Sequence, residues 1–417
     1  MRFKLNILHT SDWHLGRSLY RKKRYPEFES FLGWLSETIE KEKIDLLLVA
    51  GDIFDNTTPS NKAQELYYKF LINASSSCCK NIIITSGNHD SPAFLDAPKE
   101  LLRSLNVYVT GSITDNPEDE VIIINNSEGT EPVIVCAVPY LRDRDIRTAE
   151  PGETIDDKNR KLIHGIKEHY SSVISNALSK KEELEAKIKN SNSDYRVPII
   201  AIGHLFASGG TTVEGDGVRE LYVGSLIHVG ENMFPSQIDY LALGHLHVPQ
   251  KVAAKDNFRY CGSPIPMGFG ESNQKKTVIK LHWDGNSMKV DDIQVPCFQR
   301  LCRIRGSIET ILQKIESLKS ESRCWIEIEY TGDEIAGDLR SILDEAVSDS
   351  NLEILRIKNQ KLMDRVIHIA GQNESLEDLN PDDVFSRCLD SFEVPLQERD
   401  ELITSYHEII QSIQEEN

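Results

Sequence analysis

Five short polar motifs, each closing an apolar run, constrain this chain more than anything else in it. In order they are Asp12-x-His14, Gly51-Asp52-x-x-Asp55, Gly87-Asn88-His89-Asp90, Gly203-His204 and Gly244-His245-x-His247. The apolar runs before them, such as Leu5–Leu8, Ile44–Ala50 and Tyr240–Gly244, read as strands. Continuous apolar strands belong to a sheet covered on both faces. In an open α/β sheet, sites assemble at the carboxyl ends of the strands. The fold must therefore bring these five distant segments to one rim.

The residue types define the chemistry. Carboxylate oxygens, imidazole nitrogens and an amide oxygen suit divalent first-row ions such as Mn²⁺ or Fe²⁺. Asp12 and His14, two residues apart on an extended end, point to one side, and His245 and His247 share that spacing. A carboxylate such as Asp52 can bridge two ions roughly 3.5–4 Å apart. Asn88 offers a ligand without adding charge, which leaves room for an anionic phosphate. No cysteine falls in the five motifs, which argues against a thiolate zinc site. Of the 12 histidines, five lie in these motifs, so the set weighs far more than any one of them. His9, His164, His169, His228, His282, His368 and His407 read as structural.

The wider pattern supports an α/β chain. Strands and helices alternate through the first 110 residues, with helices expected near 28–39, 61–74 and 93–105. Strands follow at 121–125 and 133–139, then a long polar helix at 156–189, then more strands to about 283. Asp284-Gly285 reads as a hairpin turn. From 296 to 360 a βαβαβ order predicts a small α+β unit. The tail from 361 starts a helix at Asn380-Pro381-Asp382-Asp383, with Pro in the first turn. Leu402, Ile403, Tyr406, Ile409, Ile410 and Ile413 stripe one face of a last helix, which suits packing on its own chain or docking on a partner. The expected divisions are 1–285, 296–360 and 361–417.

With 417 residues, the chain is long enough for a sizeable core and two to four folding units. Eight cysteines form no C-x-x-C pair and read as reduced thiols. No run of apolar residues reaches membrane-spanning length and no signal peptide is read at the start, so a cytoplasmic protein is expected. The net charge of −19 argues at first against nucleic acid. It is unevenly spread, because the first 24 residues carry seven basic side chains against Asp12 alone. Residues 271–417 carry 17 basic and 30 acidic side chains. Arg17, Arg21, Lys22, Lys23 and Arg24 follow the first motif and are candidate contacts for backbone phosphates.

Together the motifs resemble the calcineurin-like metallophosphoesterase superfamily. Ile7-Leu8-His9-Thr10-Ser11-Asp12-Trp13-His14-Leu15-Gly16, Val49-Ala50-Gly51-Asp52-Ile53-Phe54-Asp55, Gly87-Asn88-His89-Asp90-Ser91 and Tyr260-Cys261-Gly262-Ser263-Pro264 are similar to its SbcD-type nuclease branch. The resemblance covers most of the chain, and it is most specific in the first 110 residues and in 203–266. It implies a two-sheet αββα sandwich with a small α+β capping domain and C-terminal helices. It implies that Asp12, His14, Asp52 and His247 hold one metal, and that Asp52, Asn88, His204 and His245 hold the other. His89 would face the scissile phosphate, and Asp55 stands where the family orients that histidine. Archaeal and eukaryotic relatives usually have histidine at the Asp55 position, so this departure points to the bacterial branch.

The same resemblance implies a Mn²⁺-dependent DNA exonuclease and endonuclease acting in repair, recombination and replication. It implies a homodimer within a heterotetramer, with an SbcC-like coiled-coil ATPase as partner. The chain has no Gly-Lys dipeptide, hence no Walker A loop, and ATP control would come from that partner. Two rival readings are a small-substrate phosphodiesterase or nucleotidase of the same superfamily, and a metal-free scaffold on the same fold.

Overall fold

A computed structural model describes residues 5–125, 131–148, 150–188, 195–206, 234–252, 254–319, 323–332 and 339–359, with single positions 382, 385, 386, 389, 399, 402, 403, 406 and 407. The chain divides into two compact units, Met1–Leu301 and Cys302–Asn417.

In the first unit, β1 (Leu5–Thr10) leads into a hairpin of β2 (Ser18–Leu19) and β3 (Lys22–Lys23), then α1 (Tyr25–Glu42). Next come β4 (Leu46–Ala50), α2 (Asn61–Ser75), β5 (Asn81–Thr85), α3 (Pro92–Asp96), α4 (Lys99–Arg103) and β6 (Val107–Thr110). The sequence predicts one helix across 93–105. The structure has two, because Pro98 between them lacks the amide proton that a continuous helix needs. Then follow β7 (Val121–Ile124), β8 (Val133–Ala137), α5 (Asp143–Ile146), α6 (Ile155–Ile188), β9 (Ile199–His204), β10 (Tyr240–Gly244), β11 (Gln250–Lys251), β12 (Phe258–Tyr260), β13 (Thr277–Trp283) and β14 (Met288–Gln294).

These strands form two six-stranded sheets, ordered β14-β13-β1-β4-β5-β6 and β11-β12-β10-β9-β8-β7. In the first sheet, β1, β4, β5 and β6 run parallel, while β13 joins β1 antiparallel. Alternation along the strands sorts residues between two cores. Ile7, Leu46, Leu48, Ala50 and Ile83 face the second sheet. Leu8, Leu47, Val49, Ile82 and Ile84 face α1 and α2. On the far side, Ile166, Tyr170, Val173 and Ile174 of α6 pack on the second sheet within the same buried cluster. The layers are therefore helix, sheet, sheet, helix. The apolar runs are continuous because both faces of these strands are buried.

The second unit carries a three-stranded sheet, β15 (Arg300–Gly306), β16 (Cys324–Tyr330) and β17 (Leu352–Asn359), in that order. The helices α7 (Ile308–Leu318) and α8 (Leu339–Val347) bury Ile311, Ile315 and Leu343 with Ile304, Ile326 and Ile328 of the sheet. Ser307 caps α7 by accepting from the Thr310 amide. In the tail, the rings of Phe385 and Tyr406 stack at 4.1 Å. Of the apolar stripe read there, Ile409, Ile410 and Ile413 lie outside the described residues, as do Asn380, Pro381 and Asp383. His228 and His368 lie outside them too.

Candidate metal centre

The turns that follow the strands are tight, and the backbone records it. Asp12, His14, Asp52 and His245 all have positive φ, at 53, 48, 51 and 101°. Non-glycine residues in this region cost about 1–3 kcal/mol each and persist only where their surroundings enforce them. Here neighbouring turns lock one another. The Asp12 amide donates to Gly51 O at 3.0 Å and the His14 amide to Asp52 O at 3.0 Å. The His245 amide donates to Asp12 Oδ1 at 2.9 Å, and the His89 amide to Asp52 Oδ1 at 2.8 Å. A Cβ on Gly51 would stand 2.3 Å from His204 Nδ1, and one on Gly87 only 2.1 Å from Asp52 Oδ1, so both positions require glycine.

The side chains converge. Ligand atoms of Asp12, His14 and His247 lie within 4.8 Å of one another, as do those of Asp12, Asp52 and His204, and of His14, Asp52 and His89. Asp12, His14 and Asp52 each belong to two of these groups, which link the three into one continuous cluster. His14 Nε2 and His247 Nε2 approach to 3.1 Å. Asn88 Oδ1 is 3.0 Å from both His204 Nε2 and His245 Nδ1.

The far ring atoms are held by oxygen. His204 Nδ1 donates to Ala50 O at 2.9 Å, and His247 Nδ1 faces Glu271 Oε1 at 3.4 Å. With Nδ1 protonated, each Nε2 presents a lone pair inward. In that neutral form the Nε2 lone pairs and the Asn88 oxygen, about 3 Å apart, are spaced as ligands that share a cation. The donor set therefore fits divalent cations.

Charge divides the rings of the ion-free centre into two kinds, and a cation must displace the second proton from His204 and His247. Burial works against the His204 imidazolium, yet Asp52 and Asp12 outweigh it and push the ring up to about 9. Burial likewise opposes charge on His247, and Glu271 overrides it, raising the ring. Burial opposes charge on Asp52 too, but His204, His14 and His89 hold it well below the usual carboxylate range. By contrast, burial holds His14 down to about 4 and His245 down to about 3, so both stay neutral and ready to ligate.

Comparison with known proteins now places the chain. Residues 5–249 match the calcineurin-like phosphoesterase family, and residues 297–392 match a C-terminal domain described as that of the type 5 capsule protein repressor. The SbcD subunit of nuclease SbcCD from Escherichia coli K12 is 32% identical over 389 residues, covering 92% of each chain. The chain belongs to the calcineurin-like phosphoesterase family, in its SbcD branch. The SbcD protein of Rhodobacter capsulatus is 33% identical over 68% of this chain and 67% of its own. That of Bacillus subtilis is 31% identical over 66% and 65%.

Within this family frame, two residues of the expected site behave differently from the expectation. Asp55 does reach His89, but through its main chain, since His89 Nδ1 donates to Asp55 O at 2.8 Å. The Asp55 carboxylate instead accepts from Arg17 Nη1 at 3.1 Å and stands 3.6 Å from His14 Nδ1. Arg17 is thus half-buried at the rim. Arg24, expected to touch phosphate, is buried at 1% exposure, so that expectation is corrected. Its Nε donates to Glu27 Oε2 at 2.7 Å, which removes it from any approaching strand. Arg21 and Lys23 remain exposed on the hairpin, with Lys22 half-buried between them.

Sequence reasoning gave no role to four supporting residues. Asp90 takes the amides of Gly87, Ile53 and Phe54 at 2.8, 3.2 and 3.0 Å, tying two motifs together. Ser11 donates to Asp12 Oδ2. Glu271 and Lys276 lie behind His247, and neither belongs to a motif. The adjacency of Asp90 and Ser11 to ligands was a signal; Glu271 and Lys276 had none. His9 shares a hydrogen bond with Tyr240 Oη at 3.0 Å inside the core, and His169 pairs with Glu120 at 2.9 Å. Among the described residues no helix is long and apolar enough to cross a membrane.

Proposed function

We propose that this protein is a metal-dependent phosphodiesterase that cleaves DNA, as the nuclease subunit of an SbcCD-type complex. The convergence of Asp12, His14, Asp52 and His247, with Asn88, His204 and His245 beside them, carries this reading. Its support beyond geometry is family membership along 92% of the chain. Asp12, His14, Asp52 and His247 would hold one ion, and Asp52, Asn88, His204 and His245 the second, with Mn²⁺ the proposed metal. Two such ions supply Lewis acidity, which polarises a phosphoryl oxygen and makes water acidic enough to attack at neutral pH.

The chain's own groups do the rest. Asp55 O fixes His89 through Nδ1, so Nε2 is the atom that holds or releases a proton. Placed at the rim, it delivers that proton to the departing oxygen of the cut ester. Arg17, Arg21, Lys22 and Lys23 lie after the first motif and hold the DNA backbone. The unit at 296–360 acts as a capping domain. The tail at 361–417 docks on an SbcC-like coiled-coil ATPase, giving a homodimer within a heterotetramer in the cytoplasm. DNA repair, recombination and replication are the processes such an assembly serves.

The test compares linear duplex DNA, hairpin DNA, single strands and small nucleotides with Mn²⁺, with and without the ATPase partner. Cleavage of linear duplex and hairpin is expected. Activity confined to small nucleotides would transfer the protein to the nucleotidases of the same superfamily.

A further inference from the structure

We infer that the buried pair Glu271–Lys276 is a positioning device for His247, aiming its Nε2 at the first ion site. The inference rests on the two-ion reading above. Glu271 is fully buried on the short turn Phe269–Glu271, and Lys276, 4% exposed, immediately precedes the strand that begins at Thr277. The two charges meet each other and also meet His247 from two sides. Glu271 Oε1 stands 3.4 Å from His247 Nδ1, while Lys276 Nζ donates to the His247 carbonyl at 3.0 Å. Glu271 Oε2 pairs with Lys276 and accepts from the Met267 amide at 3.1 Å. Lys276 also donates to Ser263 Oγ at 3.0 Å and to Gln274 Oε1 at 3.2 Å. Ring and backbone of one ligand are thus gripped together.

Stability alone does not explain such a pair. Desolvating two charges costs about as much as their attraction returns, and apolar replacements of equal volume are often as stable. A carboxylate on the far nitrogen of a ligating histidine, however, fixes the tautomer and the ring plane. Here Glu271 Oε1, 3.4 Å from Nδ1, favours the proton on that nitrogen and leaves Nε2 directed at His14 Nε2, 3.1 Å away. The turn itself is fastened from outside, where Tyr20 of the β2–β3 hairpin stacks on Phe269 at 5.8 Å.

The test titrates the metal-free full-length chain with Mn²⁺, reading free ion by electron paramagnetic resonance. The double variant Glu271→Leu/Lys276→Met removes both charges together and so avoids stranding either one. It is expected to keep its melting temperature within a few degrees while the dissociation constant of one ion rises about 10–100-fold and the other holds. Glu271→Gln, which strands Lys276, is expected to weaken the same ion while lowering the melting temperature more than the double variant does. Wild-type constants in both variants would overturn the inference. So would equal weakening of both ions in step with reduced thermal stability. A wild-type chain that binds no Mn²⁺ would overturn the two-ion reading itself, and the inference with it.

Discussion

Replacing Asp55 by Asn separates two jobs that one residue does with different atoms. The main-chain carbonyl holds His89 Nδ1 at 2.8 Å, and a side-chain substitution leaves that bond in place. The carboxylate stands 3.6 Å from His14 Nδ1, beyond direct hydrogen-bond range, and it is 25% exposed. Screened in this way, the contact is worth about 1 kcal/mol, or about fivefold in affinity at the ion that His14 holds. At saturating Mn²⁺ the turnover of Asp55→Asn on linear duplex DNA should therefore fall less than about tenfold. The Mn²⁺ needed for half-maximal rate should rise about fivefold. His89→Ala gives the contrast, because it removes the proton-holding group itself and should cost about 10²–10⁴ in rate with metal binding intact. The assay measures rate against Mn²⁺ for wild type and both variants. A loss above about 100-fold in Asp55→Asn at saturating metal, with the half-saturation point unmoved, would refute the argument. The carboxylate would then be orienting His89.

Other outcomes follow from the same contacts. Changing Arg21, Lys22 and Lys23 to Gln should reduce the steepness of the salt dependence of DNA binding by about 0.9 for each phosphate no longer neutralised. Arg24→Gln should leave that slope alone but destabilise the fold by about 3–5 kcal/mol, since it strands buried Glu27; equal flattening by both variants would count against the buried assignment. Burial, opposed only weakly by a bond to Leu243, holds His9 down to about 3. The unfolded chain takes up a proton below about pH 6.5 that the folded chain refuses, so stability falls as pH falls from 6.5 toward 3, by about 1.4 kcal/mol per unit. A urea series should show this slope reduced in His9→Gln, and an unchanged slope would reject the cause. Gly51→Ala, whose added Cβ would lie 2.3 Å from His204 Nδ1, should disrupt the centre and lower the melting temperature measurably by calorimetry.

Much of this molecule was legible because its strands carry unbroken apolar runs that end on polar pairs. Leu46–Ala50 is buried on both faces and closes on Gly51-Asp52, so strand, turn and ligand lie within seven residues. In the 296–360 segment, apolar positions 308, 311, 312, 315 and 318 marked the helix that the structure places at Ile308–Leu318. What escaped was set by distance in sequence. Glu271 and Lys276 serve His247 from a separate turn, and nothing local marks a buried carboxylate as one that will face an imidazole. Arg24 misled for a related reason. It sits in a basic run, and only the packing of α1 against the core buries it beside Glu27, three residues on. Asp55 shows a third limit, because a motif position names a residue but not which of its atoms makes the contact.

The central claim is that Asp52 lies between two ions. Mn²⁺ bound per chain, counted by equilibrium titration of the purified protein and of Asp52→Ala, tests it most directly. Two ions for the wild-type chain and none at comparable concentration for Asp52→Ala are expected. Two ions retained by Asp52→Ala, or none bound by the wild type, would contradict it.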